Sequence, residues 1–143
     1  MIDVSIIIVC MNRPDNLHPC LESISRTVTV SYETLVVAYL YPPEALAEER
    51  VNYPWVTFIE SNEIRGFSEN NNLALRQARG RFCFILNDDT ELKEGALDSL
   101  VADFASLPDD TAIVTPRLLN ADGSLQLCGR PDYPARNYVL QQW

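Results

Sequence analysis

The sequence predicts one α/β domain with a mostly parallel central sheet and flanking helices, on three observations. Val4-Ser5-Ile6-Ile7-Ile8-Val9-Cys10 is a near-continuous β-branched run, the pattern of a central parallel strand covered on both faces. Strand-like and helix-like segments alternate along most of the chain, which is the signature of crossover-connected parallel strands. Finally, Arg81-Phe82-Cys83-Phe84-Ile85-Leu86 reads as a buried strand that runs straight into Asn87-Asp88-Asp89-Thr90. Ionised carboxylates are costly in a core unless paired or metal-bound, so Asp88 and Asp89 belong at the carboxyl edge of the sheet. That edge is where open α/β folds place ligands.

Each element follows from local chemistry. After the first strand, Asn12-Arg13-Pro14-Asp15-Asn16 is a polar turn with helix-start character, and Leu17, Cys20, Leu21 and Ile24 recur at helical spacing. Pro19 fits that helix only if it starts late, near Asn16. Thr34-Leu35-Val36-Val37-Ala38 predicts a second strand. Pro42-Pro43 followed by Glu44-Ala45-Leu46-Ala47-Glu48-Glu49 predicts a turn and a short helix. Trp55-Val56-Thr57-Phe58-Ile59 predicts a third strand. Ser68 is placed to cap a helix through Leu73, Ala74, Leu75 and Ala78, with Gly80 as its stop. Ala96, Leu97, Leu100, Val101 and Phe104 share one face of another helix. Ala112-Ile113-Val114-Thr115 predicts a fifth strand, and Leu118 to Leu127 a hairpin turning at Asp122-Gly123.

Composition narrows the function. The chain has 143 residues, 47% of them apolar, enough for one domain with a real core. Eleven basic against twenty acidic residues give a net charge of -9, which argues against nucleic acid or anionic lipid as a non-specific partner. No apolar stretch reaches the roughly 18 residues of a membrane span, and no leader-like segment is visible at the start. Cys10, Cys20, Cys83 and Cys128 form no Cys-x-x-Cys pair, and His18 is the single histidine. The cysteines read as free thiols, Cys10 and Cys83 acting as small hydrophobes, in a reducing, cytoplasmic setting.

Oxygen donors such as Asp88 and Asp89 at a sheet edge suit Mg²⁺ or Mn²⁺ holding a phosphate. Taken alone, Asn87-Asp88-Asp89-Thr90 reads more readily as turn and capping chemistry. Likewise Asn12 alone reads equally as a turn residue, Arg13 and Arg65 as solvated charges, and Asn70-Asn71-Asn72 as a polar helix face. His18 reads as a surface or local hydrogen-bonding residue.

Four segments in order resemble the inverting family 2 glycosyltransferases, whose nucleotide-sugar domain has the GT-A, Rossmann-like fold. Val4 to Val9 through Asn12-Arg13-Pro14 to Leu21-Glu22-Ser23-Ile24 resembles the first strand, nucleotide loop and first helix. Asn62, Gly66-Phe67, Asn71-Asn72-Leu73-Ala74 and Ala78-Arg79-Gly80 resemble the middle helix. Phe84 to Thr90 resembles the Asp-x-Asp region in an Asn-Asp-Asp form. Pro116-Arg117-Leu118-Leu119 with Asp122-Gly123-Ser124-Leu125-Gln126 resembles a segment of rhamnosyltransferase-like members.

The resemblance implies an enzyme that transfers a hexosyl or rhamnosyl group from a UDP- or dTDP-linked donor to a saccharide or other hydroxyl acceptor, as in polysaccharide biosynthesis. It implies that Asp89 meets the divalent cation on the diphosphate and that Asp88 shares the metal or reaches the ribose. Cys10, Met11, Asn12 and Arg13 would flank the nucleotide, and Asn72 would line the pocket. Two departures stand out. Ala38-Tyr39-Leu40-Tyr41 replaces the usual Asp at the end of the second strand, with Tyr39 or Tyr41 as stacking substitutes, and Met11 stands where an aromatic is common. The candidates for the expected catalytic base, Asp109, Asp110, Asp122 and Asp132, lie in turns where a solvated acid is ordinary and none is assigned, and residues 129–143 end without a closing element. The chain therefore reads as the donor-binding part of a larger transferase, the acceptor half missing. The alternative is a transferase-like binding module without activity. A separate dinucleotide- or P-loop-type domain is disfavoured, because no glycine-rich phosphate loop follows the first strand.

Overall fold

Strands and helices alternate strictly through the first of two units, Met1–Asp110, in a computed structural model that describes residues 1–104 and 106–126. In order they are β1 (Val4–Cys10), α1 (Pro14–Thr27), β2 (Tyr32–Tyr39), α2 (Pro43–Asn52), β3 (Val56–Ser61), α3 (Phe67–Leu75), β4 (Phe82–Asn87) and α4 (Ala96–Phe104). Every pairing is parallel and the sheet order is β3-β2-β1-β4. The predicted α/β class and parallel sheet with flanking helices hold.

Alternation along the strands sends side chains to two cores. Val4, Ile6, Ile8 and Cys10 of β1, with Val36 and Ala38 of β2, pack with Leu17, Leu21 and Ile24 of α1, Leu46 of α2 and Leu97 of α4. Ile7, Leu35 and Val37 face the opposite way, onto Ala74 of α3. That double coverage is why β1 is apolar at nearly every position. The chain leaves β1 toward β2 and β3, then α3 carries it back to place β4 on the other side of β1. The order thus reverses between β1 and β4, and a crevice opens at the carboxyl ends of strands at such a switch point.

Four predicted details are corrected. The first helix begins at Pro14, not near Asn16: the Arg13 carbonyl accepts from the amides of Asn16 at 3.1 Å and Leu17 at 3.0 Å. Pro14 supplies the fixed φ favoured at the first helical position. Pro19 then lies inside the helix, but on its exposed face, where water can serve the carbonyl that loses its amide partner. The third helix is capped at Gly66 rather than Ser68, its amide donating to the Glu69 carboxylate at 2.8 Å, and it ends at Leu75.

Gly80 is therefore not a helix stop. It lets the α3–β4 connection touch β1: a Cβ there would stand 2.6 Å from the Val4 carbonyl carbon and 2.9 Å from Ser5 Oγ. The third correction concerns β4, which is not buried on both sides. Phe82, Phe84 and Leu86 face the first core, while Cys83, Ile85 and Asn87 are exposed, because among the described residues β4 is an edge strand that α3 does not cover.

The fourth lies in the second unit, Thr111–Trp143. Residues 112–115 form no strand: Ile113 is 86% exposed and the segment makes no ladder with any of the described residues. The predicted hairpin is present as a single antiparallel bridge, Leu119 to Leu125. Its tip is the Asp122-Gly123 turn, with Gly123 at φ 84°, the Asn120 amide donating to the Ser124 carbonyl at 2.8 Å and the Asp122 carboxylate accepting from Ser124. Leu127, Cys128 and the 129–143 segment lie outside the described residues. No described helix is long and apolar enough to cross a membrane.

Candidate functional site

Parallel strands end together, so Cys10, Tyr39, Ser61 and Asn87 define one edge of the sheet, with Cys10 opposite Ala38 and Val9 opposite Asn87. Two of the predicted segments flank the switch point there. The loop after β1 carries Met11, Asn12 and Arg13, all exposed. Asn12 sits at φ 49°, a left-handed conformation that Asn tolerates better than most residues, and this turns the chain sharply into α1.

β4 ends in a tight turn. The Asn87 carbonyl accepts from the Thr90 amide at 3.3 Å and from the Thr90 hydroxyl, so Asp88 and Asp89 occupy the two central positions. Asp88 is half-buried and Asp89 is exposed. The turn reading and the carboxylate reading of this tetrad are thus compatible. The turn is what presents the acids.

Cys10 lies below this surface, fully buried, its thiol 3.1 Å from Tyr41 Oη and 3.8 Å from the Arg13 carbonyl it donates to. Burial, reinforced by the Asp88 carboxylate within hydrogen-bonding reach, pushes its pKa up to about 12. It is a neutral thiol at any ordinary pH, a support for the loop rather than a nucleophile. Cys20 of α1 behaves alike: burial first, then the charge of Asp88, raise its thiol to about 12.

Tyr39 at the end of β2 and Tyr41 just beyond it are both engaged. Tyr41 is buried against Cys10, which removes it as a stacking surface, and the Tyr39 hydroxyl accepts from the Arg65 amide at 3.2 Å. Leu40 between them takes φ 53° while its amide continues the ladder to the Ser61 carbonyl. Ala38, at the position of the missing acid, is buried.

On α3, Asn72 is exposed, while the buried asparagines are its neighbours. Asn70 accepts from Ser61 Oγ at 2.7 Å and so ties the helix to the end of β3. Asn71 donates to the Phe67 carbonyl at 2.9 Å, and its Oδ1 is buried with no partner among the described residues. The triple-Asn run marked this helix, but its 3.6-residue rotation decides which asparagine turns inward. His18 is a hydrogen-bonding residue, but its partner is not local: it bonds the buried Glu49 of α2, 31 residues on, at 3.0 Å.

Among the described residues no three His, Cys, Asp or Glu side chains converge as a metal cage. Mg²⁺ and Mn²⁺ do not require one, since they keep several waters and take one or two carboxylates plus substrate phosphates. Two adjacent, accessible hard-oxygen donors at the sheet edge fit that demand.

The parallel α/β sheet flanked by helices matches the GT-A fold of glycosyltransferases. Residues 5–126 match the Glycosyl transferase family 2 domain, and the chain belongs to that family. An uncharacterized glycosyltransferase of Haemophilus influenzae is 27% identical over 86 residues, covering 60% of this chain and 29% of that protein. The solved structure of S. aureus TarS 1-349 superposes with a TM-score of 0.63 at 20% identity, over 73% of this chain and 33% of its own. TarS 1-349 has also been solved with UDP and with UDP-GlcNAc, each matching with a TM-score of 0.63. The mannosyltransferase PcManGT of Pyrobaculum calidifontis, in complex with GDP-Man and Mn²⁺, superposes with a TM-score of 0.61 at 26% identity, over 76% of this chain and 33% of its own. The chain spans about a third or less of the length of these relatives.

Proposed function

We propose that these residues form the donor-binding part of an inverting, rhamnosyl- or hexosyl-type glycosyltransferase, which holds a nucleoside diphosphate sugar through a divalent cation. The observation that carries this reading is the Asn87–Thr90 turn, which offers Asp88 and Asp89 across the switch point from the Asn12-Arg13 loop. In this reading Asp89, the more exposed acid, ligates Mg²⁺ or Mn²⁺, and Asp88 shares the ion or accepts from the ribose. When bound, the ion acts as a Lewis acid that offsets the charge building on the departing diphosphate. Arg13 adds charge-assisted hydrogen bonds to phosphate oxygens, and Asn12 and Asn72 line the nucleotide. Cys10 contributes from below, by holding the Arg13 carbonyl.

Inverting transfer also needs a carboxylate to take the acceptor hydroxyl's proton. No residue here is assigned that role, and we place the base and the acceptor site in sequence that the much longer relatives carry. Relatives solved with UDP, UDP-GlcNAc, and GDP-Man with Mn²⁺ support the ligand class. The setting proposed is polysaccharide biosynthesis in the cytoplasm. Calorimetric titration of UDP and dTDP, with and without Mn²⁺, tests the reading. Binding of at least one nucleotide only with the ion is the expected result, and metal-independent or absent binding contradicts it.

A further inference from the structure

Three polar side chains, those of Cys20, Ser23 and Thr27, interrupt the apolar inner face of α1. Cys20 and Ser23 are both fully buried, one helical turn apart, among Leu17, Leu21 and Ile24. A buried hydroxyl is unfavourable unless bonded, and Ala would suit the helix better, so Ser23 calls for a reason. Its Oγ donates to the Cys20 carbonyl at 2.7 Å and accepts from the Leu92 amide at 2.9 Å, a contact buried and 69 residues distant in sequence. The Cys20 thiol donates to the Asn87 carbonyl at 3.7 Å. These two contacts fall on opposite ends of the segment that carries Asp88 and Asp89.

We infer that Cys20 and Ser23 are positioning residues, fixing residues 87–92 on α1 so that the two carboxylates stand in register with the loop at the start of the same helix. The inference rests on the reading of Asp88 and Asp89 given above. One rigid element then sets both halves of the site. Arg13 caps α1 at one end of the crevice, and the acid turn is pinned about two and three helical turns further along. Within the turn, the Thr90 amide and hydroxyl close on the same Asn87 carbonyl that Cys20 reaches, so the anchor and the turn share an acceptor.

The test is calorimetry on the 143-residue chain with Mn²⁺ and UDP as probes, comparing the unsubstituted protein with Ser23→Ala, Cys20→Ala and Cys20→Ser. Ser25→Ala is the control, an exposed serine of the same helix whose hydroxyl, among the described residues, bonds only the Glu22 carbonyl. Partners behind a metal ligand typically change metal affinity about 10- to 100-fold. The expected result is a loss of that size in apparent Mn²⁺ affinity at saturating UDP for Ser23→Ala and Cys20→Ala. UDP affinity at saturating Mn²⁺ should move by about twofold or less, and Ser25→Ala should change neither. Cys20→Ser keeps a donor toward Asn87 and should recover most of the loss, and the Cys20 pair decides the matter if Ser23→Ala does not fold. A purely structural role would lower both affinities together, and that pattern, or unchanged Mn²⁺ affinity in folded variants, overturns the inference alone. Failure of the unsubstituted chain to bind Mn²⁺ and UDP overturns the functional reading and the inference with it.

Discussion

Glu33 shows how much a single side chain organises at the edge opposite the site. Its Oε1 accepts from Ser5 Oγ at 2.7 Å and the Arg79 amide at 2.7 Å, and its Oε2 from the Arg79 guanidinium at 2.6 and 2.9 Å. β1, β2 and the α3–β4 connection meet on this one carboxylate. Burial works against its charge, but the bonds from Ser5 and Arg79 and the Arg79 charge outweigh it, and the pKa lies below its ordinary value. A carboxylate depressed in this way adds stability that is present above its unfolded pKa, near 4.3, and lost as the pH falls through the folded value. Glu33→Gln should therefore cost about 1.5–3 kcal/mol in urea unfolding at pH 7, the range for hydrogen bonds to a charged group, and the gap should close in strong acid. A gap independent of pH would show that the charge is irrelevant. Gly80→Ala tests the same junction by space. The new methyl would run into the backbone of Val4 and Ser5, so a loss of about 1–3 kcal/mol or more is expected in thermal unfolding, where a tolerant site would show none.

At the scale of elements, β1 and β4 look alike in sequence and behave differently. Both are short apolar runs, and such runs do not reveal whether one or both faces are covered. The answer depends on α3, which lies over β1 and β2 and leaves Cys83 and Ile85 exposed. Ile85→Thr should therefore change stability by no more than about 0.5 kcal/mol, whereas Leu86→Ala, one residue on and buried, should cost about 2–5 kcal/mol. Equal effects in chemical denaturation would contradict the edge assignment. Helix ends were less legible than helix existence, for a physical reason. Pro14 and Glu69 act through φ and a side-chain bond that compete with nearby alternatives such as Asn16 and Ser68. The acids were legible because charge directly after an apolar strand has few places to go. The supports beneath them were not, because Cys20 meets Asn87, and Ser23 meets Leu92, only once the chain has folded.

Across the whole molecule, the fold gathers chemistry from segments far apart in sequence at one end of the sheet. The Arg13 loop and the Asp88-Asp89 turn are separated by three strands' worth of chain, yet they follow β1 and β4, which are neighbours across the switch point. A net charge of -9 leaves this end with little general attraction for phosphate. A cation held by the two acids would reverse that locally, which makes metal dependence the central claim. The most direct measurement is UDP binding by calorimetry in the presence of Mn²⁺, comparing the unsubstituted chain with Asp89→Ala. We predict binding by the former and a loss of more than about a hundredfold in the latter, beyond the effect of removing a supporting partner. Equal UDP affinity in the two proteins would contradict the account.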